Sequence, residues 1–330
     1  MSRSPLRPAA FVAGLAALTL GVSACGSSQT DTPSTPDTPQ VAVVTSTDAW
    51  GSVARAVGGN FVQVQPIIDS PSVDPHGYEA TPQDATRVGD AQLIVANGGG
   101  YDAFMTDLVG ASGSRAPVLD AVEISGQISG HSGAAGGHAH DHGGADAGHE
   151  AHEGSTNEHV WYSPEAVEQV AGALARQLSA IDPAHADYYE TNAQTVRGGT
   201  AQLRSKAGDI GRTHPGARVA VTEPVPDHLL QAAGVQNATP QEFSAALEEG
   251  TDPPAAVVAG MLDLFRTQPP VDALILNSQT GSAGTDQVRA AAEQAGVPVI
   301  EMSETLPDGV DDYLQWMNTN LDELGAALNR

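Results

Sequence analysis

The chain has 330 residues, with 14 Lys and Arg against 40 Asp and Glu, and a net charge of −26 at neutral pH. A surface that acidic repels nucleic acid and anionic lipid and attracts cations, so nucleic-acid binding is set aside. The single cysteine, Cys25, allows no disulfide and no cysteine-based zinc site.

Arg3 and Arg7 precede an apolar run from Ala9 to Leu20. That run is too short to span a bilayer comfortably and has the length of a signal-peptide core. It ends at Val22-Ser23-Ala24-Cys25, which resembles a bacterial lipobox, in which cleavage precedes the cysteine and the thiol is lipidated. Residues 1–24 are therefore expected to be a lipoprotein signal and Cys25 the lipidation site. Residues 25–40 are rich in Ser, Thr, Pro and Asp, have little to bury, and read as a flexible tether. About 290 residues remain, enough for two lobes with separate cores.

Val41 to Ser46 reads as a first strand, and Trp50 to Val57 has helical spacing that stops at Gly58-Gly59. Phe61 to Ile68 is a second strand. Thr81 followed by Pro82 marks the start of a short helix. Ala91 to Asn97 is a buried strand that ends in Gly98-Gly99-Gly100. This alternation predicts a parallel sheet with helices on its faces. Residues 129–156 hold Gly, Ala, acids and histidines without periodicity, and are expected to be a disordered loop.

Ser163 and Pro164 open a helix with apolar residues at Val167, Val170, Ala171, Leu174, Leu178 and Ile181. Asp182-Pro183 interrupts it, and the helical pattern then resumes, weakened by Gly198-Gly199. Together these segments read as a long helical connection between lobes. A second alternating set follows: a strand at Ala217 to Glu223, a helix closed by Gly234, and a strand around Val271 to Gln279. A helix capped by Thr285, a strand around Val297 to Glu304 and a C-terminal helix complete it. Leu314, Met317, Leu321 and Leu324 share one stripe of that last helix.

In an open α/β sheet, ligands sit beyond the carboxyl ends of strands. Four metal-ligating side chains fall near such places. His76 lies in Asp74-Pro75-His76-Gly77-Tyr78-Glu79. His159 lies in Asn157-Glu158-His159-Val160-Trp161, just before the long helix. Glu223 follows one strand and Glu304 another, with His228 and Asp308 as the respective alternatives.

These segments resemble the zinc and manganese solute-binding proteins of bacterial ABC importers, solute-binding family 9. The segment around His76 matches that family's first ligand motif. The segment around His159 matches the second, with Glu158 where proline is more usual. Asn97 to Tyr101, with the following Asp-Ala-Phe-Met, resembles a further family stretch with a packing role. The likeness spans nearly all of the mature chain. It implies an α/β fold of two βα lobes with parallel sheets, bridged by a long rigid helix, with the metal in the cleft between them. The N-terminal lobe would be residues 41–162, the linking helix 163–213 and the C-terminal lobe 214–330. The implied ligands are His76, His159, Glu223 and Glu304. Glu223 stands where zinc members commonly have His, as in manganese-type members, and Glu304 where Asp is common.

The implied function is capture of Zn²⁺ outside the cytoplasmic membrane and its delivery to an ABC permease, by a monomer held to the membrane only through its lipid anchor. Two imidazoles and two carboxylates suit four-coordinate Zn²⁺, or Mn²⁺ if the carboxylates bind bidentately. With all ligands from protein, no position is left for an activated water, which favours transport over hydrolysis. A manganese importer component and an extracellular zinc buffer or adhesin remain as alternatives. A secreted zinc hydrolase lacks a motif, since His149 and His152 in His-Glu-Ala-His are three apart, unlike the zinc-protease signature. His131, His138, His140, His142, His149 and His152 are expected to gather Zn²⁺ weakly and feed the cleft.

Overall fold

The computed structural model describes residues 40–126 and 157–329. β1 (Val41–Thr47) is buried on both faces, as a strand covered by helices on each side must be. It lies between β2 (Val62–Ile68) and β3 (Leu93–Ala96), with β4 (Val118–Asp120) outside β3 and all four parallel. The intervening helices are α1 (Asp48–Gly58), α2 (Pro82–Asp90) and α3 (Ala103–Ser112), and α4 (Ala121–Ser125) follows β4. Thr81 caps α2 as expected. Its hydroxyl accepts from the Asp84 amide, the Asp84 carboxylate accepts from the Thr81 N–H, and Pro82 occupies the first turn.

The expected linking segment 163–213 is two helices. α5 (Pro164–Ile181), capped by Ser163, packs on α1 and α4 and so belongs to the first lobe. α6 (Ala186–Thr213) has 28 residues and runs about 42 Å. It touches α1 near one end, and α7 (Asp227–Ala232) and α11 (Tyr313–Leu328) in the second lobe. The break follows from Pro183, and it is closed by His185, whose ring donates to Asp182 at 2.6 Å and stacks on Phe61 at 3.6 Å. Gly198-Gly199 does not interrupt α6. Gly199 makes room for Leu314 of α11, since a Cβ there would stand 2.3 Å from Leu314 Cδ1.

The second sheet repeats the first. β5 (Arg218–Val221) lies between β6 (Gln236–Asn237) and β7 (Ala273–Asn277), with β8 (Val299–Met302) beyond β7 and all strands parallel. α8 (Gln241–Glu248), α9 (Ala255–Asp263) and α10 (Ala283–Gln294) cover it with α7. The cap of α10 is Ser282 rather than Thr285. Thr285 is the reciprocal partner, its hydroxyl accepting from the Ser282 amide at 2.8 Å. Thr285 shares the chemistry of a cap, and only the backbone shows which of the two sits outside the helix. Among the described residues, no helix is long and apolar enough to cross a membrane.

One apolar core runs from β1 and β3 through α1, α5, α6 and α11 to β5 and β7. Smaller cores lie on the outer face of each sheet, around Val88 and Met105 in the first and Phe243 and Met261 in the second. The lobes therefore share packing, and separating them would expose apolar surface. In both sheets the strand order reverses, between β1 and β3 and between β5 and β7. Asn97, Thr222 and Asn277 stand at the carboxyl ends beside those reversals, where doubly wound sheets place ligands.

Asp48, at the start of α1, accepts from the Leu306 amide at 3.1 Å across this shared core. Burial, outweighing that bond, pushes its carboxyl up from 3.8 to about 6. A carboxyl with a higher pKa folded than unfolded contributes stability below its unfolded value and loses it as pH rises through the folded one. Asp48→Asn keeps the acceptor without the charge. It is expected to raise stability near pH 7 by up to about 3 kcal/mol, and the gain should fade toward pH 4. Thermal unfolding of both proteins at the two pH values checks this, and a variant less stable at pH 7 would refute it.

Candidate metal centre

His159 sits in the short loop before α5 and has no exposed surface. Asn157 Oδ1 accepts from both the His159 backbone N–H, at 2.9 Å, and its Nδ1–H, at 2.8 Å. That second bond fixes the tautomer and leaves Nε2 as a bare lone pair, buried without a partner. Asn157 also ties this loop to the second lobe, donating through Nδ2 to the Pro224 carbonyl at 2.7 Å. On the other side, Trp50 Nε1 donates to Asn97 Oδ1 at 3.1 Å, and Asn97 Nδ2 donates to the Glu158 carbonyl at 2.9 Å.

His76 reaches the same place from the loop after β2. Asp74 Oδ1 accepts from its backbone N–H at 2.9 Å and lies 3.4 Å from its Nδ1. Asp74, two residues before it, is thus the neighbour that holds this ring. His76 Nε2 is also buried without a hydrogen-bond partner, and the two imidazole centroids are 5.7 Å apart.

Glu304 follows β8 and is fully buried. Its Oε2 accepts from the Tyr101 hydroxyl at 2.9 Å, and its Oε1 from Asn277 Nδ2 at 2.7 Å. Oε2 is 3.6 Å from His76 Nδ1 and 3.9 Å from His159 Nε2. Ligand atoms around tetrahedral zinc stand about 3.4 Å apart, so these gaps need only a small contraction around an ion. Donor atoms of His76, His159 and Glu304 all lie within 4.8 Å of one another.

Glu223, after β5, is 2 % exposed but lies outside that group. Its carboxylate accepts from Asn277 Nδ2 at 2.8 Å and from the Thr280 hydroxyl. One Asn277 amide thus holds Glu223 on one side and Glu304 on the other. The alternatives are less well placed. His228 donates through Nε2 to the Asn157 carbonyl at 3.0 Å, and Asp308 is exposed.

The electrostatics suit a dication. Burial pushes Glu304 up to about 7, against the opposing His76 charge and the Asn277 bond, and burial raises Glu223 too. Burial pulls His76 down, but Asp74, Glu158 and the Glu304 charge outweigh it and hold the ring at about 10. Burial, with repulsion from His76 and His228, holds His159 well below its usual value. In the ion-free protein His76 therefore carries the positive charge that the buried carboxylates require. A divalent ion would replace that proton.

Sequence reasoning missed the residues that hold these groups. Asn157 lies inside the second motif, but the motif gives it no role, and Asn277 carries no signal beyond being polar near a strand end. Tyr101 lies in a stretch read as packing, yet it bonds Glu304. Glu158 and Glu248 line a cavity of about 1000 Å³ beside His76, and nothing in the sequence around Glu248 suggests a site. Cys25, His131, His138, His140, His142, His149 and His152 lie outside the described residues.

A family model described as zinc-uptake complex component A, periplasmic, matches residues 43–327. The metal ABC transporter substrate-binding lipoprotein FimA of Streptococcus parasanguinis is 24% identical over 335 residues, covering 98% of this chain and 99% of that protein. The manganese ABC transporter substrate-binding lipoprotein PsaA of Streptococcus pneumoniae is 24% identical with the same coverage. The solved structure of the periplasmic zinc-binding protein TroA from Treponema pallidum has a TM-score of 0.69 to this chain. At 19% identity it covers 88% of this chain and 100% of its own, which establishes the shared two-lobe fold.

Proposed function

This chain belongs to the zinc-uptake complex component A family, and we propose that its cargo is Zn²⁺, captured outside the cytoplasmic membrane and delivered to the permease of an ABC importer. It is a metal-binding component of a transporter and not an enzyme. The observation that carries the reading is two imidazoles converging on buried Glu304: the fully buried His159, whose Nε2 has no partner and lies 3.9 Å from Glu304 Oε2, and His76, whose Nδ1 lies 3.6 Å from the same oxygen. An unsatisfied buried nitrogen costs free energy unless a ligand uses it.

His76, His159 and Glu304 would supply three donors. Glu223 would supply the fourth by exchanging its Thr280 and Asn277 bonds for the ion. Two imidazoles rank Zn²⁺ above Mn²⁺ at such a site. The hydrogen bonds on both oxygens of Glu304 also oppose the bidentate binding that a larger coordination number needs. The manganese reading draws on Glu223 in place of a third imidazole and on relatives such as PsaA. The lipid anchor at Cys25, action as a monomer and the auxiliary histidines of 129–156 belong to this proposal as well. The first is supported by the lipoprotein names of FimA and PsaA.

Two measurements test it. At equal free concentrations Zn²⁺ is expected to displace Mn²⁺, and retention of Mn²⁺ would favour the manganese reading. Because His76 is held up at about 10 in the ion-free protein, binding should release at least about one proton at pH 7. Zinc affinity should therefore fall as pH is lowered. Calorimetry in buffers of different ionisation enthalpy measures the release, and binding without it would contradict the ligand set.

A further inference from the structure

A second group of donors stands just outside the first. Donor atoms of His76, Glu158 and Glu248 also lie within 4.8 Å of one another. Glu158 Oε1 is 3.4 Å from His76 Nε2, and Glu248 Oε1 is 3.7 Å from His159 Nδ1. Glu158 comes from the first lobe and Glu248 from the last residue of α8 in the second.

Exposure orders the two groups. The His159 and Glu304 side chains are 0% exposed, whereas Glu158, His76 and Glu248 are 18%, 19% and 25% exposed. All three face the 1000 Å³ cavity, so an ion arriving from solvent meets them first. The position of Glu158 is shaped by the glycine turn after β3. A Cβ at Gly99 would come within 3.0 Å of Glu158 Cβ, and one at Gly100 within 3.3 Å of its Oε2. Both glycines have positive φ, 72° and 109°, which other residues rarely adopt.

We propose that His76, Glu158 and Glu248 form an outer cation site, occupied in transit, from which a divalent ion passes through the shared His76 to His159 and Glu304. This rests on the zinc-carrier reading above. Two carboxylates and an imidazole offer a hydrated dication charge and a first nitrogen ligand at the cavity wall. The ion then sheds its water in steps, exchanging the outer carboxylates for His159 and Glu304 while His76 stays within reach.

The test uses the full chain and Zn²⁺. Trp161 reports occupancy of the inner group, since its ring is 5.1 Å from the His159 ring. In stopped-flow fluorescence, Glu158→Gln and Glu248→Gln are each expected to slow association about 10-fold. The equilibrium Kd should move less than about threefold, so dissociation slows in step. The slowing should persist at about 1 M ionic strength, where the Debye length is about 3 Å and long-range steering is screened. Unchanged rates, or slowing seen only at low salt, would overturn the proposal. So would a loss of affinity as large as that of His159→Ala, which would make these carboxylates inner ligands. A wild-type protein that gives no saturable Zn²⁺ signal would instead overturn the zinc reading, before any substitution is made.

Discussion

His159→Ala is expected to lower zinc affinity by more than about 100-fold, beyond the loss usual for residues that only orient a ligand. The ring is fully buried, and its Nδ1–H is committed to Asn157, so Nε2 has no use in the ion-free protein. Removing the ring leaves a cavity and frees Asn157 Oδ1 of one donor, so the ion-free protein should also lose some stability. The rise in melting temperature on adding Zn²⁺ should vanish, since that rise follows from binding to the native state alone. His228→Ala is the control. His228 is a part-buried imidazole of the same cleft, but its Nε2 is spent on the Asn157 carbonyl, so its removal should cost much less affinity. Wild-type affinity in His159→Ala, or equal losses in the two variants, would remove the basis for the inner site.

Trp50→Ala carries the largest expected loss of stability, about 3–5 kcal/mol. The indole is fully buried on α1, in the core that both lobes share. Its Nε1–H also satisfies Asn97 Oδ1, and Asn97 holds the Glu158 carbonyl next to His159. The variant should therefore lose zinc affinity along with stability. Trp50→Phe separates the two effects, because it keeps most of the volume and leaves Asn97 Oδ1 unpaired, at about 1–3 kcal/mol. Denaturant unfolding of the ion-free proteins measures both. An alanine variant within about 1 kcal/mol of wild type would show that the shared core does not bind the lobes as tightly as its packing implies.

The shared core bears on how the ion leaves. Tyr162 donates to the Ser303 carbonyl at 2.7 Å, Tyr313 to the Trp161 carbonyl at 2.7 Å, and Gln279 to the Val73 carbonyl at 2.8 Å. Each bond joins the two lobes close to the metal centre. Wide separation would break all three and expose buried apolar surface, whereas ligand exchange along the cavity wall would break none.

Although β4, β6 and the helices α3, α4, α8 and α9 were not read from it, the sequence by itself determined three strands of each sheet, the caps at Thr81 and Ser163, and the two histidine loops. Those features rest on signals a few residues long: apolar periodicity, a hydroxyl before proline, and a ligand motif. The division of 163–213 at Asp182-Pro183 was legible for the same reason, although the packing of α5 into the first lobe was not. Only the tertiary structure decided which carboxylates meet the imidazoles. Glu304 is placed by Tyr101, 203 residues away, and Asn277 reaches across 54 residues to Glu223. Glu248 arrives from a helix with no motif at all. Such convergence depends on strand register and on how two switch points face each other, and those are long-range quantities that no local stretch of sequence encodes.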